Sequence, residues 1–167
     1  MKIKISAVFL LSVIFLVIGN RTVLALEHSQ KDGLFKMDIP KEWHWMEYAH
    51  EIIITYPDGK TMAMDIQLVP SRPLSEADIK KTLKEGVDRM VKDGIEAHQG
   101  TLIDNKEIDI DGVYATRLDF KTVPPNPVYV TCISVFNKGF ALTVTYGSED
   151  DKMHSMLDDT FATFRFK

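Results

Sequence analysis

Between Gly33 and Tyr146 the chain keeps returning apolar side chains at every second position, and this period constrains the fold more than any other feature. Leu34, Phe35, Met37 and Ile39 form a strand that ends at Pro40. Trp43 and Trp45 alternate with Glu42, His44 and Met46, and Ile52 to Tyr56 is β-branched. Pro57-Asp58-Gly59-Lys60 reads as a turn, since proline sets φ and glycine supplies positive φ. Met62, Met64, Ile66 and Leu68 alternate after it. The spacing predicts a meander of these strands, with Met62 and Met64 on one face.

Two segments change to helical spacing. Ile79, Leu83, Val87, Met90 and Val91 make one apolar stripe, with Ser75 as N-cap, Asp78 as its box partner and Gly94 at the stop. Met153, Met156, Leu157, Thr160 and Phe161 make a second, with Ser148 and Asp151 as the expected cap pair. Between the helices lie a strand through Ile108 and Ile110, a hairpin at Asp111-Gly112, and a strand from Val113 to Phe120. Val128 to Phe136 is nearly continuous in β-formers and is expected at the centre of the sheet. Phe140 to Tyr146 follows the Asn137-Lys138-Gly139 turn. Pro124-Pro125-Asn126-Pro127 cannot pair and must be a loop.

The amino-terminal 25 residues follow a different plan. Lys2 and Lys4 precede a 14-residue run from Ile5 to Ile18, and Val23-Leu24-Ala25 offers small residues before a cut. A membrane-crossing helix needs about 20 apolar residues, and Asn20 and Arg21 stand where one would continue. The expectation is a cleaved signal peptide over residues 1–25, a flexible segment over 26–32, and one domain over 33–167. The export route is periplasmic or secretory, with no stable membrane span after cleavage. Losing Lys2, Lys4 and Arg21 takes the formal charge from −4 to −7. So acidic a domain is a poor ligand for nucleic acid, whose affinity rests on Lys and Arg. The single Cys132 precludes an internal disulfide.

The order of elements resembles the PsbP-like superfamily, which includes the PsbP extrinsic subunits and envelope proteins of the DcrB type. The resembling features are Gly33-Leu34-Phe35-Lys36-Met37-Asp38-Ile39-Pro40-Lys41-Glu42-Trp43, the amphipathic helix after the first meander, the Asp111-Gly112 hairpin, and the closing helix into Thr163-Phe164-Arg165-Phe166. The resemblance implies an α+β fold, an antiparallel β-sheet with helices packed on its faces in an α/β/α sandwich. It also implies a non-enzymatic accessory or binding role, and it transfers no catalytic residue.

The residues themselves offer few centres for chemistry. Trp43, His44 and Trp45, together with Pro124, Pro125 and Pro127, are the candidate binding surface, as aromatic anchors suit a partner. The competing use of the two indoles is to close the edge of the core. Met62, Met64 and His44 are weak candidates for a copper(I) site, since thioether and imidazole suit that soft ion; the same thioethers also fit a core. His28, His44, His50, His98 and His154 are scattered without the spacing of a zinc site. Asp109-Ile110-Asp111-Gly112 is better explained by its hairpin than by calcium. A hydrolase would have to use Asp119, Glu107 or His98. No nucleophile elbow, phosphate loop or dinucleotide fingerprint is present. The reading is an exported, non-enzymatic binding module without a cofactor, taking a protein partner or a small ligand. A metal or small-ligand carrier is the alternative, and a hydrolase the more remote one.

Overall fold

A computed structural model describes residues 25–123 and 127–167. Residues 1–24 of the expected signal peptide, and Pro124, Pro125 and Asn126 of the expected loop, lie outside the described residues. Ten strands and two helices follow in chain order: β1 (Ala25–Ser29), β2 (Phe35–Pro40), β3 (His44–Glu47), β4 (Glu51–Thr55), β5 (Met62–Pro70), α1 (Glu76–Arg89), β6 (Thr101–Ile110), β7 (Val113–Lys121), β8 (Tyr129–Asn137), β9 (Phe140–Ser148), α2 (Asp151–Phe161) and β10 (Arg165–Phe166). The large sheet is antiparallel, in the order β3-β4-β5-β9-β8-β7-β6. A small sheet, β1-β2-β10, stands apart from it. The expected α+β class holds.

The turns form where the sequence marks them. Gly59 takes positive φ, and the Asp58 carboxylate accepts from the Lys60 and Thr61 amides. Asp111 and Gly112 both take positive φ, as a two-residue hairpin of this hand requires. The Asp111 carboxylate also accepts from the Phe166 amide at 2.8 Å, tying the β6–β7 hairpin to the last strand.

Five local expectations differ from the structure. The segment expected to be frayed over 26–32 is strand through Ser29, paired along β2. β2 is not part of the meander: it pairs with β1 and β10, while β3, β4 and β5 alone run as successive neighbours. Thr163 ties β2 to the end of α2, its hydroxyl accepting from the Asp38 amide at 2.9 Å and donating to the Thr160 carbonyl at 2.7 Å. β8 is interior, but β9 holds the middle of the sheet. Gly94 does not stop the first helix; the chain continues as a π-helical turn over Met90–Glu96, and Gln99 takes the positive φ. Ile95 lies eight residues beyond Val87, about 80° around an ideal α-helix. The wider turn rotates it back to the side of Val87, and both pack on Leu118. Finally, Ser148 belongs to β9, and Asp150 caps α2 by accepting from the Lys152 and Met153 amides.

The register divides the large sheet into two unlike faces. Ile133 opposes Val144 and Val135 opposes Leu142 on one side. These residues join Ile52, Ile54, Met64 and Ile66, the β2 residues Phe35, Met37 and Ile39, and Leu157, Phe161 and Phe164 in the main core. On the other side Cys132 opposes Thr145 and Ser134 opposes Thr143. Here α1 packs through the smaller cluster of Val87, Ile95 and Leu118.

Two glycines should respond in opposite directions to alanine. At Gly147 in β9 an added Cβ would meet the Tyr129 carbonyl oxygen at 2.7 Å, so Gly147→Ala should cost about 1–3 kcal/mol. At Gly86 in α1 an added Cβ meets nothing within 4 Å, so Gly86→Ala should gain roughly 1 kcal/mol of helix propensity. Urea midpoints at constant slope measure both.

Candidate functional site

The Trp43–Trp45 corner joins the two sheets. The β2 strand ends at Pro40, whose carbonyl accepts from the Trp43 amide at 2.9 Å. Trp43 is only 8% exposed and meets Tyr56 edge-on, with ring centroids 4.9 Å apart. Trp45 projects from β3 onto the β2 residue Phe35 and is covered by the stacked imidazole of His28, from β1. His44 turns the other way and lies on the β4–β5 turn, its Nε2 3.3 Å from the Pro57 carbonyl oxygen. Both indoles therefore pack against the main core. Pro127 is half-buried; Pro124 and Pro125 lie outside the described residues.

The methionines regroup. Met62 and Met64 do not share a face: a register shift between Ile54 and Thr55 leaves Met62 55% exposed and Met64 fully buried. With Met64 sealed in the core and His44 on the turn, that ligand trio does not assemble. Met62 instead lines, with Met153 and Met156 of α2, an open groove of about 720 Å³, which Tyr56, Val128, Glu149, Asp150 and Lys152 also border. Tyr56 is the edge partner of Trp43, and Val128 follows Pro127, but Trp43, His44, Trp45 and Pro127 do not themselves line the groove. The Tyr56 hydroxyl is buried there without a hydrogen-bond partner, and burial pushes its pKa up. Among the described residues, no three His, Cys, Asp or Glu side chains gather as a metal site would need.

A polar network that sequence reasoning largely missed lies between β7, β8, β9 and α2. Arg117 Nε donates to both Asp119 oxygens, at 3.0 and 2.9 Å, and its Nη2 lies 2.9 Å from Asp158 Oδ1. Tyr146 donates its hydroxyl proton to the same Asp158 oxygen at 2.6 Å. Thr131 donates to Asp119 at 2.5 Å and lies 3.2 Å from His154 Nε2. Since the threonine proton goes to the carboxylate, His154 must donate through Nε2–H. Thr131 is therefore no nucleophile held by a histidine base, and it is 0% exposed. Asp119, an expected acid–base candidate, serves here as a structural acceptor. Of the other two, Glu107 sits on the exposed β6 edge and His98 is an exposed residue beyond the π-helical turn. Only Asp119 was legible beforehand, because the alternation of β7 puts it beside Arg117; nothing local in the sequence points to Asp158 or His154.

The network also sets a pH response. Burial pulls the Arg117 guanidinium pKa down, but the bond to Asp119 and the nearby Tyr146 and Asp158 outweigh it, and the net shift is upward. Burial, then the bond to Asp158, raises the Tyr146 pKa well above the ordinary phenol value of about 10. In the unfolded chain that phenol ionises near pH 10, while in the folded protein it stays neutral. Its stabilising contribution is thus complete below pH 10 and declines as pH climbs beyond it. Tyr146→Phe should lower stability at pH 7 by about 1 kcal/mol yet flatten the loss above pH 10, as read by urea midpoints from pH 7 to 11.

A second concavity of about 220 Å³ lies on the opposite face of the large sheet, under α1. Its walls carry no charged side chain. No described helix is long and apolar enough to cross a membrane. No family model matches the chain, and no curated protein does. Solved structures do. Cyanobacterial PsbP (CyanoP) from Synechocystis sp. PCC 6803 superposes with a TM-score of 0.63 at 13% identity, over 89% of this chain and 96% of that one. LpqN of Mycobacterium tuberculosis, described as involved in cell envelope biogenesis, gives 0.53 at 13% identity, over 88% and 92%. A Bacteroides thetaiotaomicron protein gives 0.57 at 12% identity, over 84% of this chain and 48% of that one. At such identities the likeness is one of fold, and the fold of this chain is the PsbP-like one, as the order of its strands and helices implies.

Proposed function

We propose that the protein is an exported, non-enzymatic binding or accessory module of the cell envelope, docking a protein partner along the Met62–Met153–Met156 groove. The observation that carries this reading is the convergence of three thioethers, distant in sequence, on one open surface beside the Trp43–Tyr56 pair. Methionine is flexible and polarisable, so a surface rich in it can mould to a partner's apolar side chains. The constellation of acid, imidazole and hydroxyl, by contrast, is internally hydrogen-bonded and lines no concavity described above. LpqN, which shares the fold, is described as involved in cell envelope biogenesis, and this is compatible with the export reading.

A copper(I) carrier is the second reading, and the same three thioethers favour it. One set of experiments separates the two. A photo-crosslinking residue at Met62 should trap a discrete envelope protein, while the same residue at Lys81, exposed on α1, should not. Amino-terminal sequencing of the extracytoplasmic form should begin at Leu26. Absence of a Met62 adduct, or an untrimmed cytosolic chain, would sink the proposal. Micromolar copper(I) binding that is lost in Met62→Leu would replace it with the carrier.

A further inference from the structure

The cavity under α1 is made by side-chain size. On the helix, Leu83 and Val87 reach down to the sheet, while Gly86 beside them offers no side chain and lies exposed at the rim. On the sheet, Thr116, Cys132, Ser134 and Thr143 stand where the opposite face carries isoleucine, valine and leucine. The helix is held over β7 by Val87 and Ile95 on Leu118, and the space opens toward β8 and β9. None of the lining groups bears a charge at neutral pH. Burial, above all, raises the Cys132 pKa, which keeps its thiol protonated.

One polar atom within these walls is unaccounted for. Thr116 is 5% exposed, and its hydroxyl is buried without a hydrogen-bond partner. A hydroxyl so placed is costly unless something supplies the missing bond. An apolar cavity of about 150 Å³ admits benzene, so 220 Å³ accommodates one substituted ring. Mostly apolar walls with a few polar groups, of which the Thr116 hydroxyl is buried and unpaired, are the usual plan of a small-molecule site.

We propose that this cavity binds a neutral, largely apolar molecule the size of one substituted ring, whose oxygen hydrogen-bonds to the Thr116 hydroxyl. The charge-free walls exclude carboxylates and phosphates, because an unpaired ion would lose its hydration without compensation. The site lies across the large sheet from the methionine groove, so either can fail without the other.

Para-cresol, toluene and 4-methylbenzoate serve as probes in titrations of the ¹⁵N-labelled protein at pH 7. Para-cresol should shift the amides of Gly86, Leu118 and Ser134 saturably. Toluene should bind the same site roughly 2- to 12-fold more weakly, the worth of one hydrogen bond, and 4-methylbenzoate at least about tenfold more weakly. Thr116→Val should weaken para-cresol to the level of toluene and leave toluene unchanged. Gly86→Leu, whose side chain has open space to enter, should keep the fold and lose both ligands. The proposal is overturned by absence of saturable shifts at these amides or by equal binding of the carboxylate. It is also overturned if Thr116→Val affects the two neutral probes alike, or if folded Gly86→Leu still binds.

Discussion

The fold rests on a division of labour between the two faces of β8 and β9. On one face Ile133, Val135, Leu142 and Val144 are large and aliphatic, and they meet α2 and the small sheet in a close-packed core. On the other face Cys132, Ser134, Ala141, Thr143 and Thr145 are small or hydroxylated, and α1 covers that side with little more than Leu83, Val87 and the π-helical turn. A sheet with period 2 can carry two unrelated surfaces in this way. The tight face secures the fold, which leaves the loose one room for a cavity.

On the tight side a second constraint acts. Aliphatic packing does not fix the position of α2 along the sheet, since oily contacts are non-directional. The Arg117–Asp119–Asp158–Tyr146 network is directional, and it ties β7 and β9 to one turn of the helix. Removing Arg117 would strand the Asp119 carboxylate, 14% exposed, at a cost of roughly 3 kcal/mol. Such a network specifies the register of packing. His154 joins it through Thr131 from one turn earlier in α2, which brings an acid, an imidazole and a hydroxyl together for a structural reason.

Much of this was legible in the sequence because strands, helices and tight turns are local. Asp58-Gly59, Asp111-Gly112 and the Ser75 cap stand where turn and cap chemistry put them. What was not legible depends on tertiary partners. The tie between β2 and the end of α2 runs through Thr163, 125 positions from Asp38. The π-helical turn exists because Ile95 is needed on Leu118, and a glycine at position 94 gives no hint of that. At the site the same rule holds. Met62 and Met64 differ in burial because of a register shift in the pairing of their strand with β4, and Met153 and Met156 come to share a groove with Met62 only through the docking of α2. The Thr116 hydroxyl is one threonine among many until a helix with a glycine in it lies overhead.

The edges of the sheets bear on how a partner could approach. An open edge strand is a template for strand addition. β6, ten residues long, is the most extended edge here, but it carries Asp104, Lys106, Glu107 and Asp109 and a register shift between Leu102 and Asp104. Both devices blunt an edge. At the far end β3 is four residues long, and its Glu47 carboxylate accepts from the Lys31 amide and the Gln30 side chain. An acidic domain with guarded edges is poorly suited to strand addition or to polyanions. Its concave surfaces include a methionine-bearing groove on one side of the sheet, an uncharged cavity on the other, and a hollow bordered by Glu76, Lys80, Glu107 and Asp109. Recognition by side-chain fit is the mode that these surfaces favour over recognition by backbone pairing.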